Sequence, residues 1–187
     1  MTAQTSTDSD LGARLAALER RVAELEDERA LRDLLSFYSF GADVHRDQRW
    51  VDLFTADGAY DLGANNVEGA YNGHFEGPDD LLGLITGPGM PARDHSQHHH
   101  GPIVIRFDAD DPDAATAESY SVTFLEESGG TGIFCAGFNR WRFRRVDGRW
   151  RIALRERREI GTGTQAEVIG ALSEQVSTGR IGGAQPQ

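Results

Sequence analysis

Hydrophobic residues recur at alternating steps of four and three over the first quarter of the chain, which is the spacing of one face of a helix. The first five form a heptad-like seam, made of Leu11, Leu15, Leu18, Val22 and Leu25. A broader apolar stripe follows, made of Leu31, Leu34, Leu35, Tyr38 and Phe40. We therefore predict one long helix over residues 11–44. Its first half offers an interaction surface, and its second half packs onto the rest of the domain.

Shorter amphipathic segments follow this helix and are separated by turn residues. A short second helix is predicted from the apolar residues Trp50, Val51, Leu53 and Phe54. It would end in a turn at the Ala-Asp-Gly sequence of residues 56–58. Two short strands are predicted over residues 59–63 and 71–76. Pro78 and the two aspartates after it mark the start of a third helix, which should stop near residues 87–89.

The rest of the chain is rich in residues that favour strands. Four such stretches, at residues 97–107, 115–126, 132–146 and 149–160, are joined by turn sequences containing Asp, Pro and Gly. They predict a meander of long antiparallel strands. Helices first and a curved sheet afterwards indicate an α+β fold, in which the helices cover one face of the sheet and enclose a pocket.

Length and composition indicate a single-domain protein and argue against membrane-spanning, secreted and nucleic-acid-binding classes. A chain of 187 residues fits one domain, here residues 11–173, while the polar residues 1–10 and the Gly-containing residues 174–187 are expected to be flexible tails. No apolar run is long enough to cross a bilayer, and the first residues lack the layout of a secretory signal, so the cytoplasm is the expected compartment. The formal charge of −11 argues against nucleic acid as a partner.

Two residue types limit the chemistry. All 19 basic residues are arginines, so mechanisms that need a primary amine, such as a Schiff base, a pyridoxal linkage or a P-loop lysine, are excluded. The single cysteine, Cys135, cannot form an internal disulfide and is expected to be a small buried residue.

Several local motifs together point to a known family. They are Tyr38 and Asp43 late in the first helix, the segments WVDLFTAD (50–57) and YNGHFEGP (71–78), His98 ahead of the strand at 102–107, and the segment DGRWRI (147–152). Over about residues 28–160 the chain resembles the SnoaL-like branch of the nuclear transport factor 2 superfamily. That superfamily includes ketosteroid isomerase, scytalone dehydratase, polyketide cyclases and hexachlorocyclohexane dehydrochlorinase. The resemblance implies a cone-shaped fold, with helices packed on a strongly curved, mostly antiparallel sheet around a pocket. It is more specific for the fold than for the reaction, because members of the superfamily use the same cavity for many functions.

Asp43 and the histidines at 98–100 are the first candidates for chemistry. A carboxylate near the end of an apolar helix face is costly unless it is paired. Asp43 either hydrogen-bonds the following turn or accepts an N–H from a histidine. On a strand, His98 and His100 would share one face, although the run could also be a solvated loop. The resemblance implies His98 as the catalytic base and Asp43 as its orienting partner. Because it shares the strand face of His98, His100 could line the pocket as well.

A metal site is an alternative use of the histidines. His95, His98 and His100 could bind zinc or iron together with a carboxylate. However, no suitably placed glutamate follows the pair at 98 and 100, and the family cavity usually needs no metal. We therefore expect neither a metal nor an organic cofactor.

Two further polar residues and a set of aromatic residues complete the predicted site. Arg155 lies where the dehydrochlorinase-like relatives place a polar cavity residue and could stabilise a departing anion, or it lies on the solvent face like many arginines of a sheet. Tyr38 either hydrogen-bonds a substrate oxygen or is a core tyrosine. The apolar pocket walls are predicted to come from Phe54, Tyr60, Phe124, Phe134, Phe138, Trp141 and Phe143.

These residues support two classes of function. The first is a cofactor-independent, dehydratase-like lyase in which His98 removes a proton from a small hydrophobic cyclic substrate. An isomerase or a polyketide-type cyclase could use the same pair. The second is a module that binds a hydrophobic ligand without turnover. The expected partners are a small hydrophobic molecule and further copies of the chain, as a dimer or trimer, with no role for nucleic acid or membrane.

Overall fold

The computed structural model describes residues 2–63, 73–87 and 95–161, together with residues 168, 170 and 176. Three helices and six strands follow one another in this part of the chain: α1 (Thr2–Asp43), α2 (Asp47–Val51), β1 (Phe54–Gly63), β2 (Gly73–Glu76), α3 (Gly77–Thr86), β3 (Ser96–Phe107), β4 (Ala114–Glu127), β5 (Gly130–Val146) and β6 (Arg149–Glu159). This order confirms the predicted α+β class.

The six strands form one curved, unclosed sheet in the order β2-β1-β6-β5-β4-β3. Strands β3 to β6 form the predicted antiparallel meander. β1 joins the sheet alongside β6 in the parallel direction, and β2 pairs with β1 in the antiparallel direction. The sheet is therefore mostly antiparallel, with one parallel pair at the point where the N-terminal strands meet the meander.

The second half of α1 packs against the sheet, as its apolar stripe predicts. Leu31, Leu35 and Tyr38 are buried together with Trp141 and Ile152 of the sheet. α3 contributes further apolar side chains to the same core. It begins with Pro78 in its first turn, where a missing N–H costs nothing, and it ends before Gly87. These contacts place the helices over the face of the sheet that also carries the candidate site.

The first half of α1 extends away from this core. The seam residues Leu11, Leu15, Leu18, Val22 and Leu25 are each between 53% and 65% exposed. Asp27 joins this part to the sheet, because its carboxylate accepts two hydrogen bonds from Arg145, at 2.9 and 2.7 Å, and one from Trp150 at 3.0 Å. The hydrogen bond from Arg145 holds the pKa of Asp27 below its usual value, against the effect of burial.

Two predicted boundaries differ from the structure. α1 begins at Thr2, so residues 2–10, expected to belong to a flexible tail, continue the helix. This segment contains neither proline nor glycine, the residues that oppose a helix most. The other predicted tail, residues 174–187, lies outside the described residues apart from Val176.

The second difference lies between α2 and β1. α2 ends at Val51, so Phe54 is the first residue of β1, and residues 56–58 form no chain-reversing turn. Instead the pairing of β1 with β6 shifts register between Phe54 and Ala59. Gly58 permits this irregularity, because a Cβ there would lie 2.8 Å from the Cβ of Phe54 and 2.9 Å from the carbonyl oxygen of Ile152. A close backbone approach therefore replaces the turn that the sequence suggested.

No helix in the described ranges combines the length and the apolar character that spanning a bilayer requires.

Candidate active site

A pocket lies between the helices and the face of the sheet that they cover. Its described lining includes the side chains of α1, α2 and α3 on one side and of β1, β3, β4, β5 and β6 on the other. Alternation along the strands explains most of the polar residues that reach it, since residues two apart point to the same face. Such pairs of polar side chains line the pocket: His98 and His100 on β3, Ser121 and Thr123 on β4, and Arg155 and Arg157 on β6. The lining is otherwise mostly apolar.

Asp43 and His98 meet at the edge of this pocket. Asp43 is the last residue of α1, and its Oδ1 lies 2.6 Å from Nδ1 of His98. The backbone N–H of His98 also donates to the same carboxylate, at 3.1 Å from each oxygen. The two side chains are 18% and 16% exposed, so the pair is shielded but not sealed. The carboxylate of Asp43 therefore has the histidine partner that its place on the helix requires.

This contact determines what the imidazole can do. When the Nδ1–H of His98 donates to a carboxylate, the lone pair of the neutral ring lies on Nε2. The carboxylate also stabilises the imidazolium that would form if Nε2 took a proton. His98 lines the pocket, whereas Asp43 lies behind it. The arrangement suits a base and its orienting partner.

Arg155 lies inside the pocket and not on the solvent face. Its side chain is buried, with Nε and Nη2 donating to the amide oxygen of Asn139 at 2.9 and 2.7 Å and Nη1 donating to the hydroxyl of Tyr38. The guanidinium carbon lies 4.9, 4.5 and 4.8 Å from the ring centres of Tyr38, Tyr60 and Trp141. No carboxylate of the described residues forms an ion pair with it. Its charge is thus held by neutral oxygens and aromatic faces, both of which attract cations.

Tyr38 is buried beside this guanidinium. Burial raises the pKa of its phenol, and the neighbouring Arg155 only partly opposes the effect. Tyr38 therefore keeps its proton at neutral pH. Because its oxygen accepts a hydrogen bond from Arg155, its own O–H remains able to donate to a ligand oxygen.

His100 shares the strand face of His98, as predicted, but its environment differs. Its ring packs in T-shaped contacts with those of Tyr38 and Trp141, at centre-to-centre distances of 5.7 and 5.3 Å. Burial, followed by the charge of Arg155, lowers the pKa of His100 well below the usual value. Its Nδ1 is buried and has no hydrogen-bond partner among the described residues. His100 is therefore neutral at neutral pH, and it lines the pocket with a buried nitrogen that no described residue binds.

Several lining residues were not predicted from the sequence. They are Ala42, Trp50, Leu62, Leu84, Ile85, His99, Ser121, Val122, Thr123, Cys135 and Arg157. Arg157 is the most informative of them. It is 5% exposed, and its Nη1 donates to Glu159 at 3.1 Å. Burial opposes its charge, but Tyr60, Cys135 and Glu159 outweigh that effect and raise its pKa. Its position two residues after Arg155 is the signal that could have identified it.

The predicted aromatic walls divide into three groups. Tyr60 and Phe134 line the pocket. Phe54, Trp141 and Phe143 are buried in the hydrophobic core instead. Phe124 and Phe138 are half-buried and do not line the pocket. The ring of Phe138 packs on the half-exposed Tyr120 at 5.0 Å, because it alternates with the inward-facing Asn139. The wall is therefore less aromatic and more polar than the sequence suggested.

The histidines do not converge on a metal-binding geometry in the described ranges. No group of three or more His, Cys, Asp or Glu side chains there could hold an ion. His95 is exposed and pairs with Glu126 at 2.7 Å, away from the pair formed by His98 and Asp43.

Comparison with known proteins agrees with this architecture. Residues 23–156 match the family model of the SnoaL-like domain. A nuclear-transport-factor-2-like protein with a cystatin-like fold from Novosphingobium aromaticivorans is 27% identical, with a TM-score of 0.71 over 83% of this chain and 96% of that protein.

Two other similar structures come from the same organism. The β subunit of a proposed aromatic-ring-hydroxylating dioxygenase is 25% identical, with a TM-score of 0.58, 74% of this chain covered and 91% of that one. A proposed scytalone dehydratase shares the fold at 23% identity and a TM-score of 0.58, over 73% of this chain and 85% of that one. No curated protein matches the sequence.

Proposed function

The chain belongs to the family of SnoaL-like domains, and from this premise we propose that it is a cofactor-independent lyase of the dehydratase type. Its substrate would be a small hydrophobic cyclic compound. The observation that carries the proposal is the 2.6 Å contact between Asp43 and His98 at the edge of a largely apolar pocket. A partly buried carboxylate behind an imidazole is the arrangement that makes histidine a base. The family includes enzymes, and one protein of the same fold is a proposed scytalone dehydratase.

The proposed step is an elimination in which His98 acts twice. Nε2 of His98 takes a proton from a carbon next to a carbonyl, and negative charge develops on the carbonyl oxygen. Tyr38 donates a hydrogen bond to that oxygen, and the cation of Arg155 behind Tyr38 stabilises its charge. The electron pair then forms the new double bond while the neighbouring C–O bond breaks. The imidazolium returns its proton to the departing hydroxyl, which leaves as water.

Isomerisation and cyclisation need the same first proton transfer, so the same residues support them as alternatives. A second candidate of another class is a binding module, for which an apolar pocket with a few polar groups is sufficient. Such a module would have no use for the hydrogen bond between Asp43 and His98.

The test begins with a panel of cyclic hydroxy-ketones and sterol-like compounds, assayed for loss of water and for exchange of the carbon-bound proton in D₂O. We expect His98→Ala to lower the rate of any confirmed reaction about 10²- to 10⁴-fold, because the base is lost. Asp43→Asn should cost nearly as much, since an amide cannot stabilise the imidazolium. His95→Ala is the matched control, because it removes a histidine that is exposed and lies outside the pocket.

Each variant must first give the circular dichroism spectrum of the native protein. Full activity in both His98→Ala and Asp43→Asn would remove the support for the pair as a catalytic unit. Absence of turnover and of exchange across the panel would favour the binding module.

A further inference from the structure

The pocket contains a second buried guanidinium that the proposed elimination does not use. Arg155 donates its hydrogen bonds to Asn139 and Tyr38, whereas among the described residues the guanidinium of Arg157 has one acceptor, Glu159, which Nη1 binds. Nη2 of Arg157 is buried and has no hydrogen-bond partner among the described residues. A desolvated cationic group that uses only part of its donors is costly unless a further acceptor binds it. The described side chains therefore leave Nη2 of Arg157 without an acceptor.

Other unpaired polar groups lie in the same lining. The indole N–H of Trp50 and the hydroxyl of Ser121 are both buried, and neither has a partner in the described part of the chain. Trp50 is 3% exposed and Ser121 is 7% exposed. Buried polar groups are normally hydrogen-bonded, so a set of them around one pocket indicates a bound molecule with several acceptor oxygens. Arg157 is the charged group among these three, so the bound molecule should carry a negative charge beside it.

We propose that the molecule bound in this pocket carries a carboxylate and that Arg157 binds it. This inference rests on the proposed function and names the class of its substrate as a cyclic carboxylic acid. A guanidinium matches a carboxylate through two parallel N–H···O bonds, and such charge-assisted bonds are about twice as strong as neutral ones. A neutral amide or ester of the same shape would leave the charge of Arg157 less well compensated.

The sheet sets the distance between this anchor and the base. Arg157 lies on β6 and His98 on β3, which are three strands apart in the order β6-β5-β4-β3. With strands about 4.8 Å apart, their backbones are separated by roughly 14 Å across the strands. An offset along β3 adds to this, because the row of paired residues that starts at Arg157 reaches β3 at Ile103 and not at His98. The two side chains extend into the pocket from these strands, so the acid group and the reacting carbon lie at opposite ends of the bound molecule.

The test compares carboxylic acids with their primary amides, which have nearly the same shape and no charge. Benzoate, cyclohexanecarboxylate and 2-naphthoate, each with its amide, are titrated into the full-length protein by isothermal calorimetry at pH 7.5. We expect at least one acid to bind about tenfold or more tightly than its amide, and Arg157→Gln to abolish this preference. Arg157→Lys should retain part of it, because the charge remains while the planar fork is lost.

Arg158→Gln is the matched control, since it removes a neighbouring buried arginine that pairs with Asp61 and does not line the pocket. His98→Ala separates this inference from the proposed reaction. It should keep the preference for the acid whether or not the protein proves to be a lyase. If every acid in the panel binds no better than its amide to the wild-type protein, or if Arg157→Gln keeps the preference, Arg157 does not bind a carboxylate.

Discussion

Replacing Asn139 tests how the pocket holds the buried charge of Arg155. Asn139 is fully buried, and its amide oxygen accepts two hydrogen bonds from this guanidinium, at 2.9 and 2.7 Å. In Asn139→Leu the size of the side chain is nearly conserved, but both bonds are lost. Only the hydroxyl of Tyr38 is then left as an identified hydrogen-bond partner of the guanidinium.

The expected cost follows from the chemistry of these bonds. Hydrogen bonds to charged groups contribute about 1.5–3 kcal/mol each, and two bonds that share one acceptor contribute less than twice that. We therefore expect Asn139→Leu to lower the free energy of unfolding by about 3 kcal/mol. Removing the charge as well, in the double variant Asn139→Leu and Arg155→Met, should recover a large part of this loss, because no desolvated cation remains.

The measurement is urea unfolding of the wild type, both single variants and the double variant. One protein concentration is used throughout, because self-association would add to the apparent stability. The coupling energy from this double-mutant cycle should be about 2 kcal/mol. A loss of less than about 1 kcal/mol in Asn139→Leu, or single effects that simply add in the double variant, would refute the view that Asn139 compensates the buried charge.

Three further predictions concern stability and assembly. Since the pKa of His100 is lowered in the folded state, the unfolded chain binds an extra proton below about pH 6.5, and the free energy of unfolding falls there by up to about 1.4 kcal/mol per pH unit. His100→Asn should reduce this slope between pH 6.5 and 5, and an unchanged slope would contradict the lowered pKa of His100. Gly137→Ala would place a Cβ 2.5 Å from a backbone carbonyl and should cost about 2 kcal/mol or more, whereas Gly83→Ala on the exposed face of α3 should stabilise by about 0.5–1 kcal/mol; equal unfolding midpoints for the two variants would argue against this. The exposed seam on α1 should support a dimer or trimer in light scattering at micromolar concentration, with Leu18→Arg shifting the mass downward; a monomeric wild type would end this proposal.

The sequence was most informative where one local signal is sufficient. Pro78 marks the start of α3, and the alternating strand residues after position 96 predict the meander, because turn chemistry and strand period act over a few neighbouring residues. The start of α1 was missed since polar composition resembles that of a tail, even though no residue there prevents a helix. The register shift near Gly58 was missed because it depends on contacts with β6, almost a hundred residues away.

The candidate site illustrates the same limit. The resemblance to a family placed Asp43 and His98 together. Spacing alone also allowed Asp43 to hydrogen-bond the following turn and His98 to lie in a solvated loop. On β6, arginines occupy both faces: Arg155 and Arg157 line the pocket, while Arg158 pairs with Asp61. Alternation shows which arginines share a face, but not which face carries the pocket. That depends on how the helices cover the sheet, so the spacing from Arg155 could suggest Arg157 but could not show that it lines the pocket.

The long sequence separations within the pocket have a consequence for how the protein is made. Asp43 and His98 are 55 residues apart, and Tyr38 and Arg155 are 117 apart. During synthesis the apolar stripe of α1 therefore leaves the ribosome well before the last strand that covers it. At about 5–20 residues per second, this interval is roughly 6–23 s. A nascent chain halted before β6 would present that stripe without its sheet partner, and would be the form most exposed to aggregation and to capture by chaperones.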